Sequence, residues 1–159
     1  MNASTGTSEF DTAVAQMPAL LEQLRTAPAH RVADHPSVPE APGIYVFSDG
    51  GVPIYVGQSR TLRTRLRQHT GESSRQNQAS FAFNLAKREA AKAGVQTKRR
   101  RARLQEDPGF IPHFDAARAA VAAMDVQFIE LTDPVPRTLF EVYAALALGT
   151  TEFNSFETH

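Results

Sequence analysis

Five side chains have types and positions suited to anion and proton chemistry: Tyr45, Tyr55, Arg65, His69 and Glu141. The two tyrosines flank a turn signal, Asp49-Gly50-Gly51, between two β-branched and aromatic runs, 43–48 and 52–56. These runs read as a hairpin. With Gly50 at the centre of the turn, Tyr45 lies directly opposite Tyr55, Ile44 opposite Val56 and Phe47 opposite Pro53. Directly opposed side chains share one sheet face, with Cβ atoms about 5.5 Å apart or closer. The two phenols are therefore expected in one patch, and a slip of one residue would separate them. A cross-strand aromatic pair packed in a core has the same pattern, so the hairpin alone leaves both readings open.

A helix is expected from about Thr61 to His69, with Leu62 and Leu66 facing inward. Arg60, Arg63 and Arg67 cluster on its outer face, where they suit solvent or phosphate. Arg65 falls beside His69 and against the apolar stripe. A guanidinium there is poorly placed for solubility and well placed to meet something beside the hairpin. Glu141 lies in Leu-Phe-Glu-Val-Tyr-Ala-Ala-Leu-Ala-Leu, an almost wholly apolar helix. A carboxylate in such a helix needs a partner, a metal or a proton. Either Arg137, four residues earlier, forms a salt bridge with it, or it serves as an oxygen ligand for Mg²⁺.

Further elements must position these groups. Residues 10–27 carry Phe10, Val14, Met17, Leu20, Leu21 and Leu24 at helical spacing, with Pro18 as a start or a kink. A loop rich in Pro, His and Asp runs from Pro28 to Pro42, and the compact core is expected to begin near Ala41. Pro53 cannot donate to a ladder, so the second strand of the hairpin should lie at a sheet edge. Helices are expected over about 77–93, ending at Gly94, over 111–123 and over 137–148, ending at Gly149. Val126–Leu131 reads as a third strand, and 95–103 as a basic connector. The expected organisation is a disordered tail, N-terminal helix and linker in 1–40, followed by one domain in 41–159.

The chain has 159 residues, no cysteine and zero formal net charge. Disulfides, thiolate metal sites and a cysteine nucleophile are excluded, which fits a reducing, cytoplasmic setting. No apolar run approaches the roughly 20 residues of a membrane helix, and Met1–Glu9 does not read as a secretory signal. Zero net charge conceals an asymmetry. Residues 53–104 hold thirteen basic residues against Glu72 and Glu89, a balance of +11, while the flanks carry −11. That block is a candidate footprint for a polyanion. Lys98, Arg99, Arg100 and Arg101 form its densest run, suited to phosphate contacts that position a duplex without reading its sequence.

Together these residues resemble a known family. Gly43-Ile44-Tyr45 followed by Tyr55-Val56-Gly57 is similar to the paired signature of the GIY-YIG nucleases, with Val for Ile in the second half. Arg65 stands eight residues after Gly57, and His69 four further on, as in members of that family. Glu141 matches the metal-binding glutamate of a later helix. Asn154 matches an asparagine that supports the site. The resemblance implies an α/β (α+β) fold, with a small three-stranded antiparallel sheet flanked by helices. It also implies divalent-metal-dependent hydrolysis of DNA phosphodiester bonds, with Mg²⁺ or Mn²⁺ as cofactor.

By that resemblance, Tyr45 acts as general base, or as nucleophile, Tyr55 and His69 orient groups or move protons, and Arg65 stabilises the phosphoryl oxygens. Gly43 and Gly57 support the geometry. A phenol with a pKa near 10 is a poor base at neutral pH, so Arg65, the metal and His69 would have to lower it. Gln58 departs from relatives that have lysine there. Many relatives also carry a separate DNA-binding domain, for which this chain leaves no room. Selectivity for duplex or branched DNA is then expected from core insertions, the N-terminal helix, a homodimer or a protein partner. A non-catalytic nucleic-acid-binding module that retains the fold, and an RNA-directed nuclease, remain the alternatives.

Overall fold

The computed structural model describes residues 3–34, 36–70 and 80–156. In chain order they form α1 (Ala3–Ala15), α2 (Met17–Thr26), β1 (His30–Arg31), a 3-10 turn (Val32–Asp34), β2 (Gly43–Asp49), β3 (Val52–Ser59), α3 (Leu62–Thr70), α4 (Ser80–Lys92), α5 (Arg101–Gln105), α6 (Ile111–Ala122), β4 (Asp125–Glu130) and α7 (Pro134–Leu148).

The hairpin differs from expectation in register but not in outcome. Gly50 and Gly51 both have positive φ, 56° and 82°, so the turn has two residues and closes on the Asp49–Val52 pair. Glycine tolerates this pair of conformations, which matches the twist of the flanking strands. That turn alone shifts the expected register by one and would send the tyrosines to opposite faces. A bulge restores the parity. Ser48 pairs with Pro53 and Phe47 with Tyr55, leaving Ile54 as the extra residue. Tyr45 consequently pairs with Gly57, and Tyr55 is its diagonal neighbour on the same face. Pro53 sits beside the bulge on an edge strand, where a missing amide costs least.

The antiparallel sheet has four strands in the order β1-β4-β2-β3, one more than expected. The addition is His30–Arg31, paired with Val126 and Asp125. Two exposed polar residues carry no strand signal, and only their position beside β4 makes them one. Central β2 is buried on both faces. Ile44 and Val46, with Val56, pack against Leu20, Leu21 and Leu24 of α2 and Phe140 and Ala144 of α7. Tyr45 and Phe47 face the other way, onto Leu62, Leu66, Phe81, Phe83, Phe110 and Phe114. The result is a sheet sandwiched between helix layers, each covering one set of alternating side chains.

Residues before Ala41 share this packing, so the expected boundary does not separate two cores. Leu24 is fully buried, and Val32 and Val38 join the cluster under β2. The expected 10–27 helix is two helices, with Pro18 in the first turn of α2. Phe10 and Val14 are exposed, whereas Met17, Leu20, Leu21 and Leu24 are buried. Disorder expected over Met1–Glu9 gives way to α1, which begins at Ala3 and packs on α7.

Four other boundaries move. The connector 95–103 runs into α5, where fully buried Leu104 ties a helical turn to the core. α7 starts at Pro134 because the Asp133 side chain accepts from the Val135 amide (3.1 Å) and proline suits a first turn. β4 begins at Asp125 and ends at Glu130. The start expected for α4, at 77–79, lies outside the described residues. Gly94 and Gly149, at φ 83° and 70°, end α4 and α7 as expected.

Candidate active site

Tyr45, Tyr55, Arg65 and His69 meet on the face of β2 and β3 covered by α3 and α4. The Tyr45 hydroxyl lies 2.8 Å from His69 Nε2, and both residues are fully buried. Arg65 and Tyr55 lie close enough to the Tyr45 hydroxyl to act on its ionisation. The Tyr45 and Tyr55 rings are 6.3 Å apart at their centroids. Tyr55 is held by Phe81, stacked at 4.6 Å and 8°. On α3, Leu62, Leu66 and His69 form the buried stripe, with Arg65 half-buried beside them. The helical spacing therefore placed Arg65 and His69 correctly.

The electrostatics depart from what the chemistry seemed to require. Burial pushes the Tyr45 phenol well above its ordinary value, and the neighbouring Tyr55 adds to this; Arg65 opposes without winning. Tyr55 is raised in the same way, by burial first and then by Glu141. Burial, with a smaller push from Arg65, lowers the His69 imidazole to about 3. At neutral pH the cluster thus holds two neutral phenols and a neutral imidazole. A neutral imidazole has one donor and one acceptor nitrogen, so the Tyr45–His69 contact is made either by the phenol proton on Nε2 or by an Nε2 proton on the phenol oxygen. His69 Nδ1 has no hydrogen-bond partner among the described residues.

This imidazole should make the fold acid-sensitive. The unfolded histidine binds a proton near pH 6.5 and the folded one only near 3. Stability is therefore full above about pH 6.5 and is lost as pH falls towards 3. Urea unfolding at pH 6.5 and 4.5 should show a loss of about 2 kcal/mol from this group. His69→Gln should remove that component; an equal acid loss in the variant would place its origin elsewhere.

Glu141 comes from α7, which packs on β3, and its side chain accepts a hydrogen bond from Gln58 of that strand. Its carboxylate acts through space on both phenols, and Arg65 acts on it. It is half-buried, and burial raises its carboxyl while the Gln58 amide opposes the shift. The salt bridge with Arg137 is not formed. Arg137 instead donates from Nη1 to the Leu131 and Thr132 carbonyls (3.1 and 3.0 Å) and from Nε to Gln58 Oε1 (3.3 Å). Gln58 Nε2 donates to Glu141 Oε2 at 2.7 Å. Gln58 and Arg137 were not among the residues expected to build the site. The signal available was the position of Gln58, directly after Gly57.

Three residues shape this arrangement. A Cβ at Gly57 would collide with the Tyr45 ring and hydroxyl, and one at Gly43 with the Ile129 carbonyl and, at 2.6 Å, Leu62 Cδ1. Glycine at 57 is what lets the phenol lie across the edge strand. Asn154 covers that strand from outside. Its Oδ1 accepts from the Val56 amide (3.0 Å) and its Nδ2 donates to the Val56 carbonyl (2.7 Å), with Thr150 fixing the side chain (2.9 Å). An amide here imitates a neighbouring strand and closes the edge.

The basic residues disperse. Arg60, with Gln58, Ser59, Thr61, Thr64, Arg65 and Gln68, lines an open concavity of about 250 Å³ beside the cluster. Arg67 is exposed on the outer side of α3. Arg63 pairs with Glu40 (2.8 Å) and donates to the Val38 carbonyl (2.8 Å). The 98–101 run lies next to α4 and α6, where Arg99 pairs with Asp107 (3.1 Å) and Arg101 stacks over Phe83 (5.0 Å). Lys98 and Arg100 are exposed. Exposed ion pairs contribute about 0–1 kcal/mol, so a phosphate can displace them. No described helix is long and apolar enough to cross a membrane.

No family model matches the chain. Short segments are similar to UvrABC system protein C: 53% identical over 36 residues in Deinococcus radiodurans, 52% over 31 in Thermotoga maritima and 48% over 33 in Aquifex aeolicus. These cover 23%, 20% and 21% of this chain, and each spans only 6% of its relative's length. A crystal structure of the GIY-YIG N-terminal endonuclease domain of UvrC from Thermotoga maritima, a point mutant bound to the catalytic divalent cation, aligns over 73% of this chain and 86% of that one. The identity is 16% and the TM-score 0.39. The paired motif lies on adjacent strands of an antiparallel sheet between helix layers, and short segments of the chain are similar to UvrABC system protein C.

Proposed function

We propose that this chain is an endonuclease that hydrolyses DNA phosphodiester bonds with a divalent cation, Tyr45 serving as general base. The observation that carries the proposal is the 2.8 Å contact between the Tyr45 hydroxyl and a buried, neutral His69, with Arg65 near enough to act on both. A phenol raised by burial does not ionise on its own near neutral pH. It becomes a base by relay: Tyr45 takes a proton from the attacking water as its own proton passes to His69 Nε2, unprotonated in this tautomer of the neutral imidazole, which gains basicity once Arg65 moves from it to the phosphate. Arg65, half-buried on α3, acts on the phenol in the free protein. A substrate phosphate draws the guanidinium to its own oxygens, which opens the phenol to water and places positive charge where negative charge develops. Tyr55 holds the Tyr45 oxygen in place through its hydroxyl.

Glu141 suits a hard divalent cation such as Mg²⁺ or Mn²⁺. It supplies a half-buried carboxylate whose Oε2 is taken by Gln58, leaving Oε1 for a cation that completes its shell with water and phosphate. The bound ion would supply Lewis-acid stabilisation of the phosphoryl and leaving oxygens. Arg60 beside the cluster, with Arg63, Arg67 and the 98–101 run, would hold flanking phosphates.

The test is a cleavage panel with Mg²⁺ or Mn²⁺ on duplex, branched and single-stranded DNA and on RNA. Metal-dependent scission of DNA is expected. Affinity should fall steeply with salt, and neutralising Lys98, Arg99, Arg100 and Arg101 should flatten that slope by about one unit for each phosphate they no longer neutralise. Binding without scission of any DNA would replace the proposal with the non-catalytic module; scission of RNA alone would reassign the substrate.

A further inference from the structure

Arg137 and Gln58 form a chain of hydrogen bonds to Glu141, and the mechanism above gives Arg137 no task. Arg137, in the first turn of α7, is only 7% exposed, and no acid forms an ion pair with it among the described residues. Its cation is satisfied by the two main-chain carbonyls and by Gln58 Oε1. A guanidinium has donors only. It therefore compels the Gln58 amide to turn its oxygen towards Arg137 and its NH₂ towards Glu141. The opposite flip would set donor against donor at one end and acceptor against acceptor at the other.

We infer that Gln58 and Arg137 are positioning residues for the Glu141 carboxylate. Arg137 sets the polarity of the amide, the amide holds Oε2, and Oε1 is presented to a divalent cation. The inference rests on the reading of Glu141 as the metal ligand. It also accounts for the missing salt bridge. A guanidinium paired directly with Glu141 could occupy both oxygens and neutralise their charge, removing the carboxylate as a ligand. An intervening amide fixes one oxygen and leaves the full negative charge on the group. Groups that orient a ligating side chain in this way typically change metal affinity or activity about 10–100-fold when removed.

The test measures Mn²⁺ binding to the full chain by electron paramagnetic resonance and calorimetry without DNA, alongside thermal unfolding. Gln58→Met and Arg137→Met should each raise the Mn²⁺ Kd by about 10–100-fold, and Glu141→Ala should abolish binding. A lowered Tm with wild-type Mn²⁺ affinity in Gln58→Met would mean that the amide merely fastens β3 to α7, and would overturn the inference while leaving Glu141 as ligand. Wild-type affinity in Glu141→Ala would overturn the metal-ligand reading itself, and the positioning role with it. Should Arg137→Met fail to fold, Gln58→Met decides alone, because that side chain is only partly buried.

Discussion

Tyr45→Phe should cleave DNA about 10²–10⁴-fold more slowly than the wild type, the usual contribution of a positioned general base. The ring remains to fill its place over Gly57, so the fold should survive with the loss of about 1 kcal/mol for one buried hydrogen bond. The informative comparison is with His69. If the proton passes from Tyr45 to His69 Nε2, His69→Phe should cost nearly as much, and the double variant little more than either single one. Single-turnover rates at saturating DNA check this. Effects that multiply would mean the two side chains act separately, and a Tyr45→Phe enzyme with wild-type rate would dismiss the phenol as base. Tyr55→Phe provides a milder control, since Tyr55 is assigned only to holding the Tyr45 oxygen.

The second large effect is expected at Glu141. Removing the carboxylate in Glu141→Ala should lower the cleavage rate on the order of a thousandfold, since a bound cation contributes several kcal/mol of charge stabilisation. Stability should change little or rise, because burial already raises this carboxyl group and alanine removes that cost. DNA affinity measured without metal should hold, as the arginines remain. Undiminished metal-dependent cleavage in this variant, with the fold intact by circular dichroism, would show that the cation is held elsewhere.

How far the chain could be read without its structure depended on the range of the interaction involved. Arg65 and His69 were correctly placed beside Leu62 and Leu66 because helical periodicity is local and the whole of α3 obeys it. The glycines that end α4 and α7 were legible for the same reason. The hairpin was harder. That the tyrosines share a face was expected, but through a register that the structure does not have; two shifts, one from the turn and one from Ile54, happen to preserve parity. Strand β1 carries no pattern of its own, and the N-terminal helices looked separable because nothing local shows that α2 fills one face of the sheet.

The ionisation of the site belonged to the long-range part entirely. The family resemblance implied that Arg65, the metal and His69 must bring a tyrosine pKa down. Complete burial instead pushes the phenol up against the opposing guanidinium, and pushes the imidazole down in the same direction as that guanidinium. Arg137 illustrates the same limit: its spacing from Glu141 allowed a direct ion pair, and the arrival of Gln58 from β3, far away in sequence, diverted it. Residue types, motif order and helical faces are matters of neighbours along the chain, and they alone sufficed to name the cluster. Which groups are stripped of water, and which carboxylate oxygen is left open, were decided by groups brought together only when α3 and α7 packed on β3.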